Sequence, residues 1–406
     1  MFKFLAHGYK SIVQGNFWYW LWVSVMAAIA LTGVNAYARQ LAYGLSTTGM
    51  GDEVSWGLYI ANFAFLVGMA AAAVMVVIPA YIFKDKEMHK VVIFSELFAV
   101  AAMVMCLLFI IVDLGRPDRL WHMIPGLGFF NFPGSLLTWD VIVLNGYLIL
   151  NLWVCFYVLY KGFKGQKPKT FLYVPVVFLA IVWAPSIHTI TAFLFQGLGG
   201  RPFWNSGLIA PRFLVSAFAA GPAFMVLVFK FLKTAGLIDF SEKVIDRIRI
   251  IITVSLLINI FLAGSELFAE FYSDSAHTVH ISHLFGLHGT SLLAPWIWGA
   301  LTLNIIAVLI LLSPVRRNPF FLIPACVMIV AGIWTEKGLG FVIPGFIPTP
   351  LGDFVQYVPS TNELLICAGI WAFGLLLYSL FLKAAIPIVN AEERRKLDMV
   401  NGKEVL

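Results

Sequence analysis

Asp140, His188 and Glu266 each interrupt a long apolar run, at depths where an ionisable group is expensive to keep. A helix rises about 1.5 Å per residue, which converts sequence position into depth. Asp140 lies five residues into its run, about 8 Å below one membrane surface. His188 and Glu266 lie 17 and 18 residues from the opposite ends of theirs, roughly 26 Å up and in the same layer. Asp113, Arg116 and Asp118 close another run at that level. A carboxylate, an imidazole and a guanidinium brought together from separate helices suit proton-coupled redox chemistry on a quinone. Such a head group needs donors to two carbonyls and a partner of near-neutral pKa that exchanges protons. His188 is the leading candidate for that partner; the alternative is a structural histidine bonded to a neighbouring carbonyl. Asp140 has an alternative too, a plain pair with an arginine such as Arg116.

A polar stripe accompanies this layer. Ser255, Asn259, Glu266 and Glu270 are spaced by 4, 7 and 4 residues, which puts them on one helix face. The stripe reads either as a proton path or as polar glue between helices. Glu96, about 10 Å above the opposite surface, and Asn145, between the two levels, could extend such a path. Four histidines, His277, His280, His283 and His288, gather near the start of an apolar run. They could ligate metal or b-haem, although haem ligation calls for buried pairs on facing helices and the first two fall in an expected loop. Gly199, Gly200 and Arg201 form no Walker pattern, which argues against ATPase chemistry.

The elements that must position these groups follow from composition. The 406 residues are 61% hydrophobic and 12% charged, against roughly 25% charged in soluble domains, so lipid must be the solvent. Ten segments are long and apolar enough to span: 17–44, 55–83, 89–113, 135–160, 171–196, 211–233, 248–272, 286–312, 319–340 and 363–385. The expected fold is all-α and integral to the membrane. It has a short segment 1–16 before the spans, a membrane domain over 17–385 and a tail over 386–406. One alternating set of connections holds 21 of the 27 Lys and Arg residues, which places both termini in the cytoplasm and the chain in the cytoplasmic membrane. The six cations on the other side are Arg39, Arg116, Arg119, Arg201, Arg212 and Lys337. Outer connections such as 113–134 and 341–362 are long and rich in Pro, Gly and aromatics, as befits a lid or docking platform. Pro185 is the main candidate for a broken helix. Cys106, Cys155, Cys326 and Cys367 each lie within apolar runs with no paired spacing. That argues against an iron–sulfur cluster or a disulfide framework. No cleavable signal peptide is expected.

Asp113 to Arg119 (DLGRPDR), Leu137 to Asp140 (LTWD) and Asn145 to Tyr147 (NGY) resemble motifs of the NrfD/polysulfide-reductase family of membrane subunits. So do Ser186 to Thr191 (SIHTIT), Gly200 to Trp204 (GRPFW), Pro211 to Leu214 (PRFL), Val54 to Tyr59 (VSWGLY), and Glu266 with Glu270 to Tyr272. The likeness covers nearly the whole chain. It is greatest to the ten-helix DsrP-type branch of the DsrMKJOP complex, with Hmc- and Qrc-type subunits next.

That resemblance implies two four-helix bundles with extra helices and no haem or iron–sulfur cluster of the chain's own. It implies a menaquinone head bound near the extracytoplasmic surface. Implied partners are a ferredoxin-like iron–sulfur subunit docked there, a multihaem cytochrome c, and further membrane and cytoplasmic subunits; no nucleic acid is involved. The quinone-binding residues expected by motif and depth are His188, Asp140, Arg116, Glu266, Trp139, Tyr59 and Asn35. A proton path is expected through Glu96, Asn145, Asn259 and Glu270. The expected role is electron exchange between menaquinol and the docked partner, linked to dissimilatory sulfur metabolism and to proton translocation. The rival readings are a secondary transporter and a b-haem subunit.

Overall fold

The structure is a computed structural model that describes residues 1–400, with side chains through Arg395. A short helix α1 (Phe2–Val13) precedes the first span, α2 (Phe17–Tyr43). The second span is divided into α3 (Leu58–Ala71) and α4 (Val74–Tyr81), and α5 (Lys86–Asp113), α6 (Leu136–Phe163) and α7 (Thr170–Gln196) follow. Next come α8 (Ile209–Thr234), α9 (Glu242–Ser273), the short α10 (His277–Leu284) and α11 (Ala294–Leu312). The chain continues with α12 (Pro319–Lys337), the one-turn α13 (Leu339–Val342) and α14 (Thr361–Val400). Ten of these units are long and apolar enough to cross a membrane, so the chain is an all-helical integral membrane protein.

Local chemistry fixes the helix starts. Asp85 caps α5 by accepting from the Glu87 and Met88 amides, and Asn318 caps α12 just ahead of Pro319. Ser360 and Glu363 make a reciprocal capping box at α14: the Glu363 amide donates to Ser360 Oγ, and the Ser360 amide to Glu363 Oε2. Glu363, fully buried, also accepts from the Gly49 amide at 2.6 Å and the Tyr357 hydroxyl at 2.7 Å. It thereby ties the α2–α3 connection to α14.

Packing joins α2 to α14 along their length, with Gly33 against Gly369 so closely that a Cβ on either would sit 2.6 Å from the other's Cα. Of the remaining spans, α3 packs on α5, α5 on α6, α6 on α7, and α7 returns to α3. In the same way α8 packs on α9, α9 on α11, α11 on α12, and α12 returns to α8. The two sets meet where α3 crosses α8. Gly68 and Ala72 face Ala217 and Gly221, small residues four apart on both helices, which lets the backbones approach closely. Asn62 on α3 accepts from the indoles of Trp334 and Trp371 at 3.0 and 2.8 Å, tying α12 and α14 to the same helix.

Several expectations need correction. The helix break lies at Ala72–Ala73 in the second span, whereas α7 runs unbroken through Pro175 and Pro185. The segment read as 286–312 is helical only from Ala294. The residues before it include the separate helix α10, which carries His277, His280 and His283 rather than leaving the first two in a loop. The connection after α12, expected as an outer loop, is only partly a surface loop. Residues 342–347 turn back and are buried, their Gly345 backbone lying against the Trp204 indole. At the other end α14 continues through the expected tail to Val400; residues 401–406, with Lys403, lie outside the described residues, as does the side chain of Lys396.

Candidate functional site

Asp140 comes from the first turns of α6, and His188 from the C-terminal half of α7. Thr191, one turn beyond His188 on the same face of α7, donates to Asp140 Oδ1 at 2.9 Å and to its own-helix carbonyl of Ile187 at 2.8 Å. The three side chains are essentially inaccessible: Asp140 is 1% exposed, and His188 and Thr191 0%. Neither ring nitrogen of His188 has a hydrogen-bond partner. Buried polar atoms are normally satisfied, so an imidazole orphaned at both nitrogens marks a place where a ligand or an ordered water belongs. The reading of His188 as a histidine bonded to a carbonyl is therefore not what the structure shows.

Arg116 does not join this layer. It lies on the exposed 3₁₀ turn Pro117–Met123 side of the α5–α6 connection and forms a two-pronged pair with Asp118, at 2.9 and 2.8 Å. The pair with Asp140 is thus replaced by a local one, and the Arg116 hydrogen bonds hold the Asp118 carboxyl below its usual range. Trp139 points the other way from Asp140, its indole donating to the Pro133 carbonyl at 2.9 Å beside the Phe132 ring. Asn35 is exposed on α2. Tyr59 is buried in a separate cluster, donating to Gln40 Oε1 at 2.7 Å, while Gln40 donates to the Val112 carbonyl at 2.6 Å. Asp113 Oδ1 is buried without a partner.

Glu266 belongs to a second site, built across α8, α9, α11 and α12. Arg212 on α8 pairs with Glu266 on α9 and with Glu336 on α12, the latter at 2.8 Å. Glu336 also accepts from Asn259 Nδ2 at 3.3 Å and Asn304 Nδ2 at 3.2 Å, while both amide oxygens remain unpartnered. Next in sequence, Lys337 is 5% exposed. Its ammonium donates to the Phe213 carbonyl at 3.1 Å, stands over the Phe213 ring at 4.4 Å and fills the space beside Gly68. A cavity of about 40 Å³ opens here between Phe203, Phe213 and Phe341, lined by Arg212, Glu266, Glu336 and Lys337. That is room for a water or two. Lys337 was expected on the outer surface; it is buried, with its ammonium between Phe213 of α8 and Gly68 of α3.

The other sequence candidates divide accordingly. Asn259 is in the second site. Glu270 lies outside it, bonded to Ser275 and 3.6 Å from His277. Glu96 is 4% exposed in the N-terminal half of α5. Asn145 bonds its own helix at the Val141 carbonyl, 2.9 Å away. His280 donates from Nδ1 to the carbonyls of Pro344 and Ile347 at 2.8 and 2.7 Å, and burial lowers its pKa against the opposing pull of those bonds. His283 Nδ1 meets the His288 carbonyl at 3.2 Å. Among the described residues no three His, Cys, Asp or Glu side chains are grouped to hold a metal ion. Arg212, Glu336 and Asn304 went unread as site residues; the signal was the Glu–Lys pair inside the ninth apolar run.

Two inward-facing polar sites on a ten-span scaffold meet a matching family pattern. The profile described as polysulphide reductase, NrfD, matches residues 46–346. The chain belongs to the NrfD family. It is 24% identical over 398 residues to a putative dimethyl sulfoxide reductase membrane subunit of Halobacterium salinarum, covering 88% of each chain. To a selenate reductase subunit of Mesobacillus selenatarsenatis it is 23% identical, over 94% of this chain and 97% of the relative. To the Hdr-like menaquinol oxidoreductase integral membrane subunit of Archaeoglobus fulgidus it is 24% identical, over 96% and 99%. Both sites contain residues of the matched region.

Proposed function

We propose that this chain is the quinone-reactive membrane subunit of an oxidoreductase complex, with the quinone head held at His188 and Asp140. The observation that carries this reading is a buried imidazole with no partner at either nitrogen, one helix turn from the Thr191 hydroxyl that holds Asp140. The residues fit a quinone: His188 offers a ring N–H to one carbonyl, and Asp140 a proton-exchanging group held in place by Thr191. When bound, menaquinone supplies the two-electron, two-proton chemistry; the protein orients it and moves the protons. The menaquinol named in the archaeal relative supports the choice of quinone. In the same proposal the electron partner is an iron–sulfur or c-haem protein on the outer face, with sulfur compounds as the metabolic context. The termini are cytoplasmic and the membrane is the cytoplasmic one. Glu96 below, and the cluster of Glu266, Glu336 and Asn259 beside the site, are the groups proposed to carry protons.

A second placement rests on the polar wall at Arg212 and Lys337, where the small cavity would have to widen to admit a head group. Fluorescence quenching by a menaquinone analogue separates the two. Loss of quenching in His188→Ala, with Glu266→Gln unaffected, supports the first placement. The reverse pattern moves the head group to the cavity. Quenching absent from the wild-type complex, with no quinone extracted from it, overturns the functional reading.

A further inference from the structure

The first helix is fixed to the protein on one side and open on two others. Phe4 is edge-on to Phe156, Tyr160 and Phe163 of α6, each with ring centroids 5.6 Å away, and His7 lies over Phe163 at 5.2 Å. Gly8 runs beside Ala384 of α14, and the Tyr19 hydroxyl donates to the Ile12 carbonyl at 2.9 Å, so both ends are held. On a 3.6-residue period Phe2, Leu5, Tyr9 and Val13 share the opposite face, and all four are exposed, from 40% to 88%. No residue of α1 is buried. Lys3 and Lys10, two turns apart and about 10 Å from each other, line one flank between the packed face and the exposed one. Two further cations stand at the ends of the same helix. Lys164 is 4.6 Å from the Tyr160 ring that packs on Phe4, and Lys383 is 4.9 Å from the ring of Tyr19. None of these four has a carboxylate within ion-pair distance among the described residues.

A helix with an aromatic and aliphatic face at right angles to its lysines lies in the plane of a membrane interface, apolar face in the acyl boundary and cations at head-group level. We propose that α1 and the adjoining ends of α6 and α14 seat anionic phospholipids, with phosphates at the Lys3–Lys164 and Lys10–Lys383 ends and acyl chains along Phe2, Leu5, Tyr9 and Val13. Four cations without an ion-pair partner among the described residues supply the charge complement. The aromatic contacts hold the helix in place before lipid arrives, so binding does not have to order it.

The test uses the full chain in its complex, reconstituted in phosphatidylcholine with added phosphatidylglycerol and examined by native mass spectrometry for retained lipid. Wild type retains phosphatidylglycerol over phosphatidylcholine. Lys3→Gln with Lys10→Gln lowers that preference about fivefold for each cation removed. The control Lys84→Gln with Lys86→Gln, on another Lys-rich connection, leaves it unchanged. No preference in wild type, or an equal loss in the control, overturns the proposal. So does a Leu5→Asp complex that sheds a protein subunit while keeping its phosphatidylglycerol, since the apolar face then belongs to a protein partner.

Discussion

Removing the Arg212 side chain, as Arg212→Met, should be the most damaging single change in the second site. Among the described residues the guanidinium is the only group that bridges Glu266 and Glu336; their side chains are 15% and 9% exposed, and that of Arg212 is 25%. Orphaning a buried charge by deleting its partner costs about 3–5 kcal/mol, far more than a surface pair is worth. Asn259 and Asn304 go on donating to Glu336, so the lower half of that range, about 3 kcal/mol, is the expectation. With an unfolding entropy of about 2.1 cal/mol/K per residue, a chain of this length should melt roughly 4 °C lower. Glu336→Gln in the same background removes one of the two orphaned charges while keeping an acceptor for both Asn amides. That double variant should recover at least half the loss, and the two changes should be strongly non-additive. Thermal unfolding of the four proteins in one detergent completes the cycle. Additive losses, or an Arg212→Met protein as stable as wild type, would refute the picture of an interdependent ion network.

Three further outcomes follow from single features. Gly33→Leu should force α2 away from α14, because a Cβ already lands 2.6 Å from Gly369 Cα. Overpacking of this kind costs about 1–3 kcal/mol, read as a lower melting temperature that Gly33→Ala shows less severely. Glu363→Ala removes the capping box and the anchor of Gly49 together, so hydrogen exchange should rise across both 47–51 and the first turn of α14; faster exchange at the helix alone would contradict the shared role. Burial holds His280 neutral in the folded protein while the unfolded chain protonates it near pH 6.5, so stability from this site is intact above that pH and declines as pH falls through the lowered folded value. The loss should appear as proteolytic sensitivity of residues 343–347 in mild acid. His280→Gln, which can still donate to the carbonyls, should remove the pH dependence.

The sequence made the spans legible because, in a chain this poor in charge, an apolar run of twenty residues has little else to be but a membrane span. It made Asp140, His188, Glu266 and Asn259 legible for the same reason, as polar groups at a depth that penalises them. Partner choice was not legible. Arg116 sits at the expected level but satisfies itself two residues away at Asp118, and nothing in spacing distinguishes that from a reach to Asp140. Glu336 and Lys337 fall near the end of the 319–340 run, where a pair of charges is indistinguishable by sequence from one at a span's exposed edge. What makes that end an interior is tertiary, the seating of the Lys337 ammonium between Phe213 and Gly68. The return of residues 342–347 is likewise a tertiary event, stabilised by the rings of Trp204, Trp56 and Phe195. Asn304 was hidden in an apolar helix whose neighbour across the gap had not been identified.

The crossing of α3 and α8 has a mechanical consequence. Gly68, Ala72, Ala217 and Gly221 meet as nearly smooth surfaces, without long side chains keyed into one another. Such a joint resists being pulled apart, since close backbone contact is lost everywhere at once, yet offers little friction to a short slide along the helix axis. Across it reaches Lys337, rooted in one half and resting its charge against Gly68 of the other. A slide of either half therefore changes the distance between that ammonium and the backbone it rests on, even while the contact of small residues persists.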